Sequence, residues 1–152
     1  MGDRVGSARW PLVTGPAFDA VKPRDPWAMV VHRSIGDYRD GAIDEARRTW
    51  DDGIVWRVVG AGPTPDAVGP DAVVDHHARL LERTSGTFRQ TLVSLECSNG
   101  PIVEAHVRTT ATRGDRNLDI PTLIVFELSA MRICQVTEIP GDVAAWEAFW
   151  AD

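Results

Sequence analysis

A carboxylate near the end of the chain has the setting of a catalytic group. Glu138 lies in "QVTEIPGD", shortly after the apolar-rich stretch "TLIVFELSAMRIC". On a β-strand, Val136 and Glu138 point to one face, whereas Gln135 and Thr137 point to the other. If Val136 faces the core, Glu138 is buried as well, and burial raises the pKa of a carboxyl group towards that of a useful base. The alternatives are a structural ion pair with an arginine and an exposed carboxylate.

A second set of polar residues alternates along the stretch "PIVEAHVRTTATRG". His106 could transfer a proton, and Arg108 could stabilise negative charge on a ligand. Thr110 follows two residues later on the same face of the strand. The opposite face, which includes Val103 and Val107, is mostly apolar. Simple alternation therefore predicts that the face with His106 and Arg108 lies in water.

Two adjacent histidines occur in "GPDAVVDHHARLLERTSG", which has a helical pattern. Neighbouring residues on a helix point about 100° apart, so His76 and His77 do not have the spacing of a zinc site. We therefore predict no metal site and no cofactor. His77 shares an apolar stripe with Val73 and Leu80, and a histidine in such a stripe is more often a hydrogen-bonded core residue than a catalyst.

Three more residues are candidates for ligand binding. Arg57 could orient a carboxylate or an enolate oxygen of a ligand, could neutralise Glu138, or could lie on the outer face of its strand. Trp50 and Trp56 could contact a flat ligand, although most tryptophans fill the core and interfaces.

Helices precede a run of strands, and these elements must position the candidate groups. In the first predicted helix, Trp27, Val31, Ile35 and Tyr38 recur with helical period, and Asp25 is a suitable N-cap. The pattern predicts helices over 25–41, 42–53 and 69–86, strands over 53–60, 87–98, 101–114, 118–129 and 132–139, and a closing helix over 140–152. The fold class is α+β, with helices packed on one face of a curved sheet. Residues 1–25 are predicted to be an extended arm that Trp10 and Phe18 could hold against the domain 26–152.

Composition restricts the classes of function. The chain has 152 residues, is 43% hydrophobic, and carries a net charge of −6 from 16 basic and 22 acidic residues. A chain of this length can bury a sizeable hydrophobic core. Its negative net charge argues against nucleic acid as a partner. No apolar run reaches the length of a membrane span or a signal-peptide core, so we expect a cytoplasmic protein. Cys97 and Cys134 are expected to be half-buried thiols, with a disulfide as the alternative.

From Trp27 to Trp150, the chain resembles the NTF2-like superfamily, in particular its SnoaL-like and ketosteroid-isomerase-related branch. The segments that carry the resemblance are "HRSIGDYRDGAIDEA", "WDDGIVWRVVGAGP", "VGPDAVVDHHARL", "TATRGDRNLDIP" and "VTEIPGDVAAWEAFW". The resemblance implies an NTF2-like cone, in which a curved mixed or antiparallel sheet wraps around helices and one deep apolar pocket. It also implies a homodimer through the outer sheet face. The helix with His77 would then cover the pocket.

The resemblance also assigns positions to the candidate residues, and several of them depart from the known mechanisms. Ketosteroid isomerases use a carboxylate base with tyrosine and aspartic acid donors, and the matching positions here are Arg57, Ser34 and Thr122. Limonene-epoxide-hydrolase-type enzymes use two carboxylates that an arginine bridges. Here Arg108 matches the arginine and Glu138 matches one carboxylate.

The other carboxylate position of the hydrolase type is Thr110, so the second acid or base is missing. His106 is the obvious substitute. This alignment places Arg108 and His106 inside the cavity and the apolar face of their strand in a dimer, against simple alternation, and we follow the resemblance on this point.

We therefore expect a cofactor-free SnoaL-like enzyme, either a cyclase, an isomerase or an epoxide hydrolase or hydratase. Its substrate would be a small, largely apolar, oxygenated metabolite such as a polyketide or terpenoid. Glu138 and His106 would transfer protons and Arg108 would position charge, and the expected substrate-binding residues are Arg57, His77, Thr110, Thr122, Trp50, Trp56 and Ser34. The alternative is a non-catalytic ligand-binding or dimerisation module of the same fold.

Overall fold

The structure is a computed structural model that describes residues 16–152. Its elements are α1 (Pro16–Ala20), α2 (Pro26–Arg39), α3 (Ile43–Arg47), β1 (Trp50–Val58), β2 (Ala67–Val68), α4 (Pro70–Arg83), β3 (Arg89–Asn99), β4 (Ile102–Arg113), β5 (Arg116–Ser129), β6 (Arg132–Pro140) and α5 (Val143–Trp150). The predicted order of helices and strands is confirmed, and β2 is an additional short strand. The α+β cone predicted from the sequence is the observed architecture.

The N-terminal segment differs from the prediction where it is described. Pro16–Ala20 is helical, so the expectation of an extended arm is wrong for these residues. Phe18 is buried, and its ring stacks on that of His32 with centroids 4.4 Å apart, so this residue holds the segment against α2 as expected. Trp10 lies outside the described residues, and the domain boundary at residue 25 stays a prediction.

One mixed sheet of six strands forms the wall of the cone, in the order β2-β1-β6-β5-β4-β3. The strands β3 to β6 form an antiparallel meander. β1 joins it as a parallel neighbour of β6, with Val58 paired to Glu138 and Trp56 paired to Val136. The parallel pairing brings the end of the first strand beside the carboxylate on the last one.

Trp50 is not in the second helix, where the sequence pattern placed it. α3 ends at Arg47, and Trp50 begins β1, where it pairs with Ile133 of β6. The backbone N–H of Ile133 donates to the carbonyl of Thr49 at 2.7 Å. The sequence after α3 is rich in residues that favour strands, and the ladder with β6 starts earlier than helical spacing indicated.

Helices α2 and α4 fill the inside of the cone because each has an apolar stripe. Asp25 caps α2 as predicted, since its carboxylate accepts hydrogen bonds from the backbone N–H groups of Trp27 and Ala28. The buried residues of α2 include Val31, Ile35 and Tyr38, and those of α4 are Val73, His76, His77 and Leu80. Both helices therefore bring polar side chains into a core that is otherwise mainly apolar.

Helix α5 closes one end of the sheet. Asp142 caps it by accepting a hydrogen bond from the backbone N–H of Ala145 at 2.9 Å. Trp146, Phe149 and Trp150 form an aromatic cluster with Phe88 at the start of β3. Cys97 and Cys134 are half-buried thiols that are not bonded to each other, as predicted. None of the described helices has the length and apolar character needed to cross a membrane.

Candidate active site

Glu138 is the centre of a buried polar cluster. Its side chain is on the inner face of β6, as the alternation with Val136 predicted, and the residue is only 3% exposed. Trp56 Nε1 donates to Glu138 Oε2 at 2.7 Å, and Gln90 Nε2 donates to Glu138 Oε1 at 2.7 Å. Each carboxylate oxygen thus has an N–H donor, so the group is fixed in orientation and partly compensated for the loss of water.

The hydrogen bonds continue across the inner face of the sheet. Gln90 Nε2 also lies 3.4 Å from Thr109 Oγ1, which in turn is 2.8 Å from Thr122 Oγ1. These residues come from β3, β4 and β5, which are neighbours in the sheet, and all three are buried. Thr122 therefore belongs to a row of buried polar groups that leads to Glu138, and its role in binding a substrate stays a prediction.

His77 faces this row from α4. It is 1% exposed, and its Nδ1 forms a 3.1 Å hydrogen bond with the hydroxyl of Tyr38 on α2. Its ring meets that of Trp56 edge to face, with the centroids 4.6 Å apart. Trp56 therefore contacts both the imidazole and the carboxylate, which keeps His77 and Glu138 in one rigid arrangement.

His76 lies beside His77, with ring centroids 5.0 Å apart. Its Nδ1 is 2.6 Å from the hydroxyl of Thr64, in the loop between β1 and β2. Its Nε2 is buried and has no hydrogen-bond partner within the part of the chain that the structure describes. His76 also lines a groove of about 210 Å³ together with Thr64, Ala67, Ala72 and Arg79, so it separates this groove from Glu138.

Burial changes the proton affinities of these groups. Loss of water raises the pKa of Glu138, while the hydrogen bonds from Gln90 and Trp56 partly offset the rise. Burial lowers the pKa of His77 well below its usual range, and the neighbouring His76 lowers it further, against a backbone hydrogen bond to Val73. Burial also lowers the pKa of His76 to about 4. Both imidazoles are therefore neutral at pH 7, and each ring has one nitrogen that donates a hydrogen bond and one that accepts a hydrogen bond.

Tyr38 has a pKa above its usual range, because burial disfavours its phenolate. Its hydroxyl therefore stays protonated and can orient the imidazole of His77. Near it, Trp50 Nε1 donates to Ser34 Oγ at 3.0 Å, so the predicted ligand-binding residues Trp50 and Ser34 are both in the core.

His76, His77 and Glu138 are also arranged in a way that suits a metal ion. One ring nitrogen from each histidine and one carboxylate oxygen all lie within 4.8 Å of one another. The prediction that these histidines form no metal site considered only their spacing along one helix. It did not anticipate a third group from β6, which stands opposite both rings.

Two of the three residues predicted to be catalytic are not in this cluster. The side chain of His106 is 46% exposed and its Nε2 is 4.0 Å from a carboxylate oxygen of Glu96. The side chain of Arg108 is 63% exposed and donates from Nε to Asp119 at 2.7 Å. The placement of His106 and Arg108 in the cavity is therefore wrong, and so is the proposed pairing of His106 with Glu138.

The reason is the register of β4. Its burial alternates so that Val103, Ala105, Val107, Thr109 and Ala111 face the core. Simple alternation was correct, and the side chains of His106 and Arg108 lie on the outer face of the strand. The expectation that the apolar face of β4 is buried in a dimer is wrong for the same reason.

Thr110 and Arg57 are also absent from the cluster. Thr110 lines an outer groove with Thr87 and Asp119. The side chain of Arg57 is half exposed and lies 3.7 Å from Asp66. Neither residue can bind a ligand at Glu138 in this arrangement, so their predicted roles there are wrong.

Sequence reasoning missed Tyr38, Gln90, Thr109 and Thr64 as parts of the site. Tyr38 was recognised only as part of an apolar stripe. Gln90 and Leu92 are two residues apart on β3, so strand alternation predicts that their side chains lie on the same face. A glutamine on the buried face of a strand needs a partner, and that requirement was the available signal.

Solved structures resemble this one over most of its length. No protein-family model and no curated protein matches the chain. Bal32a, from a soil-derived mobile gene cassette, is 28% identical, with a TM-score of 0.75 over 83% of this chain and 97% of that one. An NTF2-like protein from Burkholderia xenovorans LB400 is 15% identical, with a TM-score of 0.67 over 83% of this chain and 96% of that one. The chain has the NTF2-like fold.

A third similar structure comes from the SnoaL-like branch. A proposed SnoaL-like polyketide cyclase from Jannaschia sp. CCS1 is 16% identical, with a TM-score of 0.63 over 87% of this chain and 99% of that one. The resemblance found in the sequence is thus confirmed at the level of the fold. Because this fold carries many chemistries, the likeness alone does not assign a reaction.

Proposed function

We propose that this NTF2-like protein is a cofactor-free acid–base enzyme that acts on a small, largely apolar, oxygenated metabolite such as a polyketide or terpenoid. The observation that carries the proposal is the buried carboxylate of Glu138, which two N–H donors hold beside the His77–Tyr38 pair. A fixed base beside a neutral imidazole is what proton transfer requires. His77 thereby takes the role that the sequence had assigned to His106.

A SnoaL-like cyclisation uses these groups without further help. The Glu138 carboxylate removes a proton from a carbon next to a carbonyl group, and the resulting enolate carbon attacks a second carbonyl in the same molecule. His77 donates a proton to the new alkoxide oxygen. The loss of this proton leaves the His77 ring as an imidazolate, and the protonated Glu138 then returns its proton to that imidazolate, so that both groups regain their starting protonation states.

The other two chemistries of the fold have less support. The isomerase type lacks a carboxylate at Arg57, which lies near Asp66 at the surface. The epoxide-hydrolase type loses both Arg108 and Thr110 to the outer face of β4 and retains only Glu138. A cyclisation therefore fits the residues that are present better than either alternative.

A non-catalytic binding module is the second candidate, and one observation favours it. Both oxygens of Glu138 already accept hydrogen bonds, and a carboxylate satisfied in this way can be purely structural. In that case, a ligand would bind without being converted.

Turnover of model substrates separates the candidates. Linear polyketones with carbonyl groups at alternate carbons, and small epoxides, are incubated with the protein, and products are identified by mass spectrometry. Glu138→Gln should lower kcat by about 100-fold or more. His106→Gln on the outer face of the sheet is the matched control and should leave kcat unchanged. Equal rates for the wild type and Glu138→Gln would remove Glu138 from the mechanism, and binding without turnover would favour the binding module.

The homodimer stays a proposal. The surface proposed for it is now the outer face of the sheet, opposite the buried apolar face of β4. Val93 and Ile139 are exposed there and line a groove of about 380 Å³ with His106 and Leu123. An apolar groove on the outer face of a sheet supports contact with a second copy of the chain. Light scattering at several protein concentrations measures the mass, and a constant monomer mass would exclude this proposal.

A further inference from the structure

The cluster of His76, His77 and Glu138 has the composition of a transition-metal site. Two imidazoles and one carboxylate bind zinc and related divalent ions, and the three potential ligand atoms lie within 4.8 Å of one another. Ligand distances of about 2.0–2.2 Å would bring neighbouring ligand atoms to roughly 3.5 Å apart, so the longest separation would shorten by about 1 Å.

The surrounding hydrogen bonds already orient these side chains as ligands. Thr64 holds Nδ1 of His76 at 2.6 Å, and Tyr38 holds Nδ1 of His77 at 3.1 Å. Histidines that bind metal ions usually have the second ring nitrogen hydrogen-bonded in this way, which fixes the ring and its tautomer. In His76, Nε2 is the nitrogen that remains for coordination, and one ring nitrogen of His77 belongs to the same group of potential ligand atoms.

Glu138 is held in a corresponding way. Trp56 and Gln90 each donate one hydrogen bond, one to each carboxylate oxygen. A carboxylate oxygen has a second lone pair, so Glu138 can accept both N–H groups and still coordinate an ion. Trp56 and Gln90 would be the partners that keep the carboxylate in place.

A bound ion would also account for two features of the cluster, an unpartnered buried nitrogen and a buried carboxylate. His76 Nε2 is buried and has no hydrogen-bond partner among the described residues, which is costly for a polar atom. The three side chains are almost completely removed from water, with exposures of 5% for His76, 1% for His77 and 3% for Glu138. An ion needs no cavity of molecular size, and its charge would compensate a buried carboxylate.

We propose that His76, His77 and Glu138 bind one divalent transition-metal ion of the zinc type, with Thr64, Tyr38, Trp56 and Gln90 as the residues that orient them. This site does not rest on the proposed enzymatic function, because it is measured without a substrate. The two are linked in one respect. A coordinated Glu138 cannot act as a base, so a bound ion inhibits the acid–base reaction.

Cobalt(II) is the probe, since its visible d–d absorption reports coordination by nitrogen and oxygen. Metal-free protein, prepared by dialysis against EDTA, is titrated with Co²⁺, and the bound Co²⁺ is then displaced with Zn²⁺ under calorimetry. We expect one ion per chain and a tetrahedral or five-coordinate spectrum. His76→Gln, His77→Gln and Glu138→Gln should each weaken binding at least about 10-fold. His106→Gln, which changes the exposed histidine beside Glu96, should bind like the wild type.

A second type of variant keeps the test decisive if substitution of a ligand prevents folding. Thr64→Val keeps all three ligands and removes only the hydroxyl that holds His76 Nδ1, so it should weaken binding by about 10-fold to 100-fold. Far-ultraviolet circular dichroism identifies variants that fold. The proposal is overturned if the wild type binds no stoichiometric ion, or if binding is unchanged in folded Glu138→Gln and Thr64→Val. Loss of binding in His106→Gln alone would also overturn it, because the ion would then lie on the outer face.

Discussion

The inner and outer faces of the sheet carry the same kinds of groups in opposite surroundings. On the inner face, the carboxylate of Glu138 is held by Trp56 and Gln90 and is shielded from water. On the outer face, the carboxylate of Asp119 is held by Arg108, and both side chains are more than half exposed. The hydrogen bonds are of similar length, at 2.7 Å from Trp56 Nε1 and 2.7 Å from Arg108 Nε.

Burial, and not the length of the hydrogen bond, decides how much such a group contributes to the stability of the fold. Water replaces a lost partner on the outer face, so an ion pair there adds little to stability. No water reaches the inner face to replace a lost donor, so each buried polar group depends on its protein partner. The same contrast separates the imidazoles, because His77 is buried beside Trp56 whereas His106 stands in solvent beside Glu96.

The largest expected effect comes from removing the indole ring of Trp56, which contacts both Glu138 and His77. Trp56→Ala should lower the free energy of unfolding by about 3–5 kcal/mol, because it creates a cavity and deprives Glu138 of a donor. Urea denaturation measures the change. Val93→Ala on the outer face is the control and should change the free energy of unfolding by less than about 0.5 kcal/mol. Similar losses in both variants would mean that the two faces do not differ as described.

A single inner hydrogen-bond donor should have an intermediate effect. Gln90→Leu keeps the approximate volume of the side chain but leaves Glu138 Oε1 and Thr109 Oγ1 without the amide, so we expect a loss of about 1–3 kcal/mol. Chemical denaturation again provides the measurement. Arg89→Leu, at an exposed position next to it on β3, should stay within about 0.5 kcal/mol of the wild type. An unchanged free energy of unfolding in Gln90→Leu would show that the carboxylate does not need this donor.

The sequence predicted the elements well because they depend on local patterns. Helical period gave α2 and α4, and alternation gave the inward side of Glu138 on β6. The site was predicted only in part, because it combines residues from strands and helices far apart in the chain. Gln90 and His77 meet Glu138 through sheet order and helix docking, which no local pattern contains.

The error at β4 has a physical origin. His106 and Arg108 were placed inside because the resemblance implied it, although the strand's own alternation of Val103, Ala105 and Val107 pointed the other way. A one-residue shift exchanges the two faces of a strand completely. The burial of the apolar face therefore outweighed the inward position that the resemblance implied for His106 and Arg108.

The pH dependence of stability separates the faces further. Burial raises the folded-state pKa of Glu138 above its ordinary value of 4.5, so above pH 4.5 the folded protein keeps a proton that the unfolded chain releases. Stability from this group is therefore complete below the ordinary pKa and is lost as pH rises towards the folded pKa, by at most about 1.4 kcal/mol per pH unit. Glu138→Gln has no such loss.

Urea denaturation between about pH 4.5 and pH 8, in buffer with EDTA, measures both proteins. The stability of Glu138→Gln relative to the wild type should rise with pH over this window. Asp119→Asn on the outer face serves as the comparison, since the Arg108 guanidinium lowers the pKa of Asp119 below its ordinary value of 3.8, so the difference between this variant and the wild type should stay constant over this window. A difference between Glu138→Gln and the wild type that does not vary with pH would contradict the burial of an ionisable Glu138.

The smallest effect is expected from the outer groups that the sequence had favoured as catalytic. His106→Gln and Arg108→Gln remove an imidazole and a guanidinium that solvent surrounds, so neither variant should measurably lower the unfolding midpoint of the monomer. Thermal denaturation at low and high protein concentration makes the test stricter. If the midpoint of either variant falls only at high concentration, where a second chain covers this face, the outer groups belong to an interface. If it falls at every concentration, the outer face contributes to the fold of one chain, and burial alone does not explain the difference between the two sides.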